Sequence, residues 1–274
     1  MARHDIKLIL SDIDGTMLPY GQAVVSERTR RAFHAAMDAG IHVGPASGRG
    51  ISHVVPAFAG DEACVATALG TNGMQVYLDG KLIHEERLPL AALEEVLRVV
   101  RARSEAGAIV FDDEGLPHLI DGSREELAKT FPKYAEEAIQ ADGLPDKPPV
   151  KLNVFVSGGL EATREVMEEL QREVDALDFN LPMPGFINLT PPGYSKASGI
   201  DVLCEALGIG LDQVVVFGDG GNDVEMLAHT PNGVAVEGSA PDAAAAARWH
   251  IGRCEDEAVA AAIEALAAGE WPFA

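Results

Sequence analysis

The sequence predicts an α/β fold, a doubly wound parallel sheet whose chain is interrupted midway by an inserted α+β domain. Three observations lead there. Short apolar runs rich in β-formers recur, each ending in a polar cluster, as buried parallel strands do at their carboxyl ends. Segments with helical spacing alternate with those runs in the outer parts of the chain. A middle block has antiparallel signals that its flanks lack.

Taken in order, Ile6-Lys7-Leu8-Ile9-Leu10 reads as the first strand, and it leads into Asp12-Ile13-Asp14-Gly15-Thr16. Two carboxylates two residues apart would then emerge where that strand ends, which is where open α/β sheets bind ligands. Gly15 lets the backbone turn tightly, and Thr16 can set a hydroxyl and an amide against an anion. The combination suits phosphoryl transfer through an aspartyl phosphate, although Asp-x-Asp-Gly is equally an ordinary turn or a piece of a calcium loop. Ser26 caps a helix to about residue 39, with Phe33, Ala36 and Met37 on one face and Gly40 as its stop. A strand over 41–46 follows and ends in Ser47-Gly48-Arg49. Residues 74–78 and 81–84 flank Asp79-Gly80 as a hairpin.

The character changes near Arg87-Leu88-Pro89. Leu93, Val96, Leu97 and Val100 keep helical spacing, and 108–111 with 116–120 make a hairpin about Asp113-Glu114-Gly115. A polar, Pro-rich stretch over 142–149 gives way to a strand over 150–156 and a helix over 161–176. This α+β insertion is placed at 86–184. Ile187-Asn188-Leu189-Thr190 then runs into Pro191-Pro192-Gly193-Tyr194-Ser195-Lys196, and Ile200, Leu203 and Leu207 mark a helix stopped by Gly208. Val214-Val215-Val216-Phe217 is a strand ending in Gly218-Asp219-Gly220-Gly221-Asn222-Asp223. A short helix over 222–228, a helical run over 243–247 and a last helix over 256–268 complete a discontinuous Rossmann-like core, 1–85 with 185–274.

One chain thus carries a carboxylate pair, a Ser with an Arg, a Lys and a second acidic cluster, each beside a strand-like run. In that order the four segments, with Thr71-Asn72-Gly73 and Asn222-Asp223-Val224-Glu225-Met226-Leu227, resemble the haloacid dehalogenase superfamily and its Cof-like sugar-phosphatase group. Two departures lie near the C-terminus: Ser239-Ala240 stands where such proteins often show Asn-Ala, and Cys254 with Asp256-Glu257 where they often carry Asn and then Asp-Gly. The resemblance implies a cap domain and a Mg2+-dependent phosphatase of small phosphate esters. It makes Asp12 the nucleophile and Asp14 the acid and base, with Mg2+ held by Asp12, the Asp14 backbone carbonyl and Asp219. Asp223 and Asn222 would orient waters or Lys196, although an acid at Asp223 also suits a helix N-terminus. Ser47, Gly48, and the amides of Gly15 and Thr16 would hold the phosphoryl group, and Lys196 would offset the crowded charge. Arg49 either grips the phosphate or makes a local salt bridge, and Asn72 either faces the substrate or packs a turn. Lys151, His118 and Asn153 are leaving-group candidates from the insertion, or else ordinary surface and edge-strand residues.

A phosphomutase would share these motifs. A phospho-accepting receiver module would not need Asp14 or the insertion. Composition narrows the classes further. A chain of 274 residues with 47% hydrophobic and 23% charged content is globular. The 43 acidic against 21 basic residues, a net charge of −22, exclude nucleic acid as an expected partner. No run approaches the ~20 apolar residues of a membrane span, and the start of the chain does not read as a secretory leader. Cys64, Cys204 and Cys254 are widely spaced, with no paired framework or metal-ligand spacing, so a cytoplasmic protein, monomeric or a small homo-oligomer, is expected.

Overall fold

The structure is a computed structural model that describes residues 5–273; residues 1–4 and 274, which the reading above placed in the core and at the expected leaderless start, lie outside them. The chain divides into two compact units, one formed by the described residues up to His84 together with those from Ser195 onward, the other by Glu85–Tyr194.

In the first unit the chain opens with β1 (Leu8–Ser11), α1 (Glu27–Asp38), β2 (His42–Pro45), the single turn α2 (Ile51–Val54), and β3 (Ala68–Gly70), β4 (Gln75–Leu78) and β5 (Lys81–Glu85), which form a three-stranded sheet in that order. The middle unit holds α3 (Leu90–Val100), β6 (Ala106–Phe111), β7 (Pro117–Asp121), α4 (Arg124–Thr130), α5 (Pro132–Glu137), β8 (Ile139–Gln140), β9 (Lys151–Val156), α6 (Gly159–Glu173), β10 (Asp178–Met183) and β11 (Phe186–Thr190). The first unit then resumes with α7 (Lys196–Leu207), β12 (Val214–Gly218), α8 (Val224–His229), β13 (Gly233–Glu237), α9 (Pro241–Ala246), β14 (Trp249–Arg253) and α10 (Ala258–Ala267).

The first unit is built on a fully parallel five-stranded sheet, ordered β14-β13-β12-β1-β2. β1 lies between β12 and β2, with Leu8 opposite Val214 on one side and His42 on the other. Alternation along the strands separates two cores. Ile9, Val43, Val215 and Phe217 pack with Phe33 and Ala36 of α1 and Ile263 of α10. Leu8, Leu10, Val214 and Val216 pack with Ile200 and Leu203 of α7 and Met226 of α8. Helices therefore cover both faces, which is the doubly wound arrangement. Local signals set the helix ends. Ser26 accepts from the Thr29 amide to start α1, and Gly40 at φ +76° follows its end; Gly208 at φ +67° ends α7.

The middle unit is a six-stranded sheet, β10-β11-β9-β6-β7-β8, antiparallel except for the short β7–β8 pair. Here the structure departs from the sequence reading. Residues 187–190 were expected in the core, but β11 pairs antiparallel with β9 and β10, so the segment 185–194 belongs to the middle unit. All five β11 residues are buried, and burial on both faces erases the alternation that marks an antiparallel strand. Several strands had not been expected, among them the very short β3 and β8, and β10 and β14. β10 is an edge strand with Pro182 and a register shift between Asn180 and Met183, and β14 is an edge strand containing Gly252. Among the described residues no helix is long and apolar enough to cross a membrane.

At Gly44 in β2 the backbone leaves no room for a side chain: a Cβ would lie 1.6 Å from the Thr67 carbonyl oxygen. Gly44→Ala should therefore force β2 from the segment that leads into β3 and cost about 3 kcal/mol in urea unfolding. Gly40→Ala has only its positive φ to oppose it, with no atom within 4 Å, and should cost about 1 kcal/mol.

Candidate active site

The acidic residues meet because β1 and β12 are parallel neighbours, so the chain leaves both strands at the same sheet edge. The Asp12 amide donates to the Phe217 carbonyl (2.9 Å), which sets Asp12 beside the loop that begins at Asp219. After Asp12 the chain turns back at once: the Leu18 amide donates to the Ile13 carbonyl (2.8 Å) and the Gly15 amide to Leu18 (2.9 Å). Gly15 sits at φ +85°, and a Cβ there would lie 2.4 Å from an Asp219 carboxylate oxygen. The Gly15 amide, expected to cradle a phosphoryl group, is thus spent inside the turn.

Lys196, the first residue of α7, is fully buried. Its ammonium donates to Asp12 Oδ1 and Asp223 Oδ1, both at 2.6 Å. A cation at a helix N-terminus opposes the macrodipole, so these two carboxylates are what hold it there. Burial disfavours the ammonium, yet Asp12 and Asp223 raise the Lys196 pKa above its ordinary value. Burial pushes the Asp12 carboxyl well above the usual range, the neighbouring Asp223 and Asp219 add to this, and Lys196 opposes it.

Asp223 has a second task. Its Oδ2 accepts from the Asp219 amide (3.0 Å) and the Gly220 amide (2.9 Å), fixing the turn that presents Asp219. It also stands at the N-terminus of α8, where an acid suits the macrodipole, although it makes no side-chain capping bond to that helix, so both readings of Asp223 hold together. Asp219 accepts from Thr16 Oγ1 (2.5 Å) and from the Tyr20 hydroxyl (3.3 Å). The Thr16 hydroxyl, expected to face a bound anion, serves a carboxylate of the protein instead. Burial holds the Asp219 carboxyl up at about 6, with the Thr16 bond opposing and Asp223 adding to the shift.

Asp14 turns away from this group. Its carboxylate takes Arg49 Nε (2.9 Å) and an Arg49 terminal nitrogen (2.5 Å), a bidentate pair, so of the two expectations for Arg49 the local salt bridge is the one present. The Ser47 hydroxyl accepts from the Arg49 amide (3.1 Å), and the Ser47 carbonyl accepts from the Asn72 amide (2.9 Å). Thr71, Asn72 and Gly73 have φ of 50°, 55° and 89°, a left-handed turn that two non-glycine residues adopt at a cost of ~1–2 kcal/mol each. In that turn the Asn222 side-chain Nδ2 donates to Asn72 Oδ1 (3.1 Å), and Gly48 lies against the same Asn72 side chain. Ser47, Gly48, Asn72 and Asn222 therefore form one polar rim.

Sequence reading missed Tyr20. It follows Pro19 in an exposed turn, and only the fold of the loop brings its hydroxyl to Asp219. The candidates in the middle unit are each engaged within it. His118 pairs with Asp112 (3.0 Å), the Asn153 amide donates to Asn188 Oδ1 (2.6 Å), and Lys151 lies over the Phe111 ring (4.7 Å).

Carboxylate oxygens of Asp12, Asp219 and Asp223 all lie within 4.8 Å of one another. Against three carboxylates stands one ammonium, Lys196, which leaves two negative charges to balance when all are ionised. An oxygen-only donor set with that excess fits a hard divalent cation such as Mg2+.

The sequence profile of the haloacid dehalogenase-like hydrolases matches residues 9–263. The 5-amino-6-(5-phospho-D-ribitylamino)uracil phosphatase YbjI of Escherichia coli K12 is 29% identical over 278 residues, covering 98% of each chain. The HMP-PP phosphatase of Serratia proteamaculans 568 is 29% identical over 261 residues, covering 93% of each. The crystal structure of SMU.1108c from Streptococcus mutans UA159 shares the fold at a TM-score of 0.84 and 21% identity, covering 96% of this chain and 99% of that one.

Two outcomes follow for metal-free protein. Lys196→Met strands two buried carboxylates and should cost about 3–5 kcal/mol at pH 8 and less at lower pH, because burial already favours the protonated form of Asp12; chemical denaturation at high and low pH reads both. A carboxyl at about 6 when folded and 3.8 when unfolded contributes stability below pH 4 that is lost as pH rises through 6. Asp219→Asn should therefore gain on the parent protein by up to about 3 kcal/mol between pH 4 and pH 7, and added Mg2+ should reverse that gain.

Proposed function

Since the chain belongs to the haloacid dehalogenase-like hydrolase family and is a phosphoric monoester hydrolase, we propose that it hydrolyses small phosphorylated metabolites, sugar and polyol phosphates foremost, through a phosphoryl group carried on Asp12, with Mg2+ as its metal. The observation that carries this reading is the bond from buried Lys196 to one oxygen of Asp12. It fixes that carboxylate in place at the sheet edge, as an in-line nucleophile requires. The relative that acts on a phosphoribityl compound, similar over 98% of this chain, supports the substrate class.

In this reading Asp12, Asp219 and the Asp14 carbonyl hold Mg2+, which when bound offsets phosphoryl charge and aligns the ester with Asp12. Asp223 stays with Lys196 and the Asp219 turn. A carboxylate oxygen of Asp12 bonds to phosphorus as the ester oxygen departs, taking a proton from Asp14. Asp14 then removes a proton from water, whose oxygen attacks phosphorus and releases inorganic phosphate and free Asp12. Ser47, which accepts from the Arg49 amide, still has its own proton to donate to a phosphoryl oxygen.

Arg49 gives the cycle a trigger. Its bidentate pair needs Asp14 as the carboxylate, whereas the first step needs Asp14 as the acid, so the pair must open when substrate arrives. A phosphate dianion competes for the guanidinium more strongly than a carboxylate monoanion does. Three unpaired, buried thiols support a reducing, cytoplasmic setting.

The test is hydrolysis of sugar phosphates and p-nitrophenyl phosphate. EDTA should abolish it and Mg2+ restore it, with inorganic phosphate and no isomeric ester as product. Asp12→Asn should be inactive on every ester. Asp14→Asn should lose far more on sugar phosphates, whose alkoxide needs the proton, and should accumulate phosphoenzyme in rapid-quench measurements with an aryl phosphate. Full activity after exhaustive chelation, or a fully active Asp12→Asn, would overturn the reading.

A further inference from the structure

A second group of metal-ligand side chains lies on the first unit, between α1 and the loop after α2. His34, Asp61 and Cys64 each offer one ligand atom, a ring nitrogen, a carboxylate oxygen and the thiol sulfur, and these lie within 4.8 Å of one another. Asp61 and Cys64 stand three residues apart, at the start and within the 3-10 turn Glu62–Val65, and the Cys64 amide donates to the Asp61 carbonyl (3.2 Å). A 3-10 turn eclipses residues at that spacing, which is what stacks the carboxylate and the thiol. His34 reaches them from the exposed side of α1.

The geometry is convergent. The same nitrogen, His34 Nε2, meets Asp61 Oδ2 at 2.7 Å and Cys64 Sγ at 4.0 Å. A proton relay of the Cys-His-Asp kind would use opposite nitrogens of the ring. Three donors around one point instead resemble the ligands of one cation. Tetrahedral Zn2+ with ordinary bond lengths sets N and O about 3.4 Å apart and N and S about 3.6 Å apart, so the first contact would lengthen by about 0.7 Å and the second shorten by about 0.4 Å. We propose that His34, Asp61 and Cys64 bind Zn2+, or another thiolate-seeking divalent cation, with a fourth position open to solvent, and that the ion ties α1 to the Glu62–Val65 turn. Binding forms the metal–sulfur bond as the thiol proton passes to solvent. Without metal, burial and Asp61 push the Cys64 thiol up to about 12, while the Arg30 charge favours the thiolate. Sequence spacing concealed the site, because His34 lies thirty residues before Cys64 and on another element.

The test is titration of the metal-free, full-length protein with Co2+ and then Zn2+, in excess Mg2+ so that the oxygen-only site is occupied. Co2+ should give a thiolate-to-cobalt absorption band saturating at one equivalent per chain, Zn2+ should displace it, and Zn2+ should raise Tm by several degrees. The band should vanish in Cys64→Ala, survive in Cys254→Ala, and need at least tenfold more Co2+ in His34→Gln, whose site on the exposed side of α1 keeps the fold intact. Carboxylates alone give no sulfur band. Absence of the band in folded protein, its persistence in Cys64→Ala, or an unchanged titration in His34→Gln would show a hydrogen-bonded cluster only and overturn the proposal.

Discussion

The first unit is organised around one buried ammonium. Lys196 joins the end of β1, through Asp12, to the loop after β12, through Asp223, and stands itself at the start of α7. Asp12 and Lys196 are 184 residues apart, on opposite sides of the inserted unit. Their bond therefore exists only when both halves of the discontinuous core are assembled. Its net contribution to stability is small, because taking three charges out of water costs several kcal/mol per ion. What it secures is position. With Lys196 fixed at the N-terminus of α7 by the Ser195–Ser198 capping box, Asp12 has one orientation and Asp223 another.

From that constraint the remaining electrostatics follow. Asp223 is drawn to Lys196 by one oxygen, and the other is left to take the amides of Asp219 and Gly220. The turn so formed presents Asp219 to Thr16 and Tyr20, beside a glycine that no other residue could replace without meeting the carboxylate. Asp12 and Asp219 are both shifted upward because burial and mutual repulsion exceed what one lysine can offset. The net charge of −22 makes the general surface repellent to phosphate, so attraction has to be local, and the cations on hand near the loop are Lys196 and Arg49.

Much of this was legible in the sequence because the informative residues sit in regular surroundings. β1, β2 and β12 are apolar runs with polar ends, and α1 and α7 carry their own caps and glycine stops. Legibility failed where a tertiary choice overrode the local pattern. β11 looks like a core strand because both its faces are buried, although it pairs in the antiparallel sheet. β10 and β14 are edge strands, and an edge needs neither a continuous apolar run nor the absence of proline or glycine. Lys196 could be singled out, but its complete burial could not, since nothing local to Ser195-Lys196-Ala197 encodes two carboxylates from distant segments. The Tyr20 and His34–Asp61–Cys64 contacts were hidden for the same reason.

The opening carboxylate pair shows how backbone direction can give chemically identical groups different surroundings. In a continuing strand, residues two apart face the same side, and Asp12 and Asp14 would compete for one cation. The chain stops being a strand after Ser11 and folds back through Ile13 and Gly15, so the two side chains diverge. Asp12 goes to Lys196 in a site nearly closed to water, and Asp14 goes to Arg49 in one that is half exposed. A buried, fixed carboxylate suits bond formation to phosphorus, whereas an accessible one with a displaceable partner suits proton exchange with a leaving group and with water. The distinction rests on where the strand ends, and the glycine at 15 is what allows it to end there.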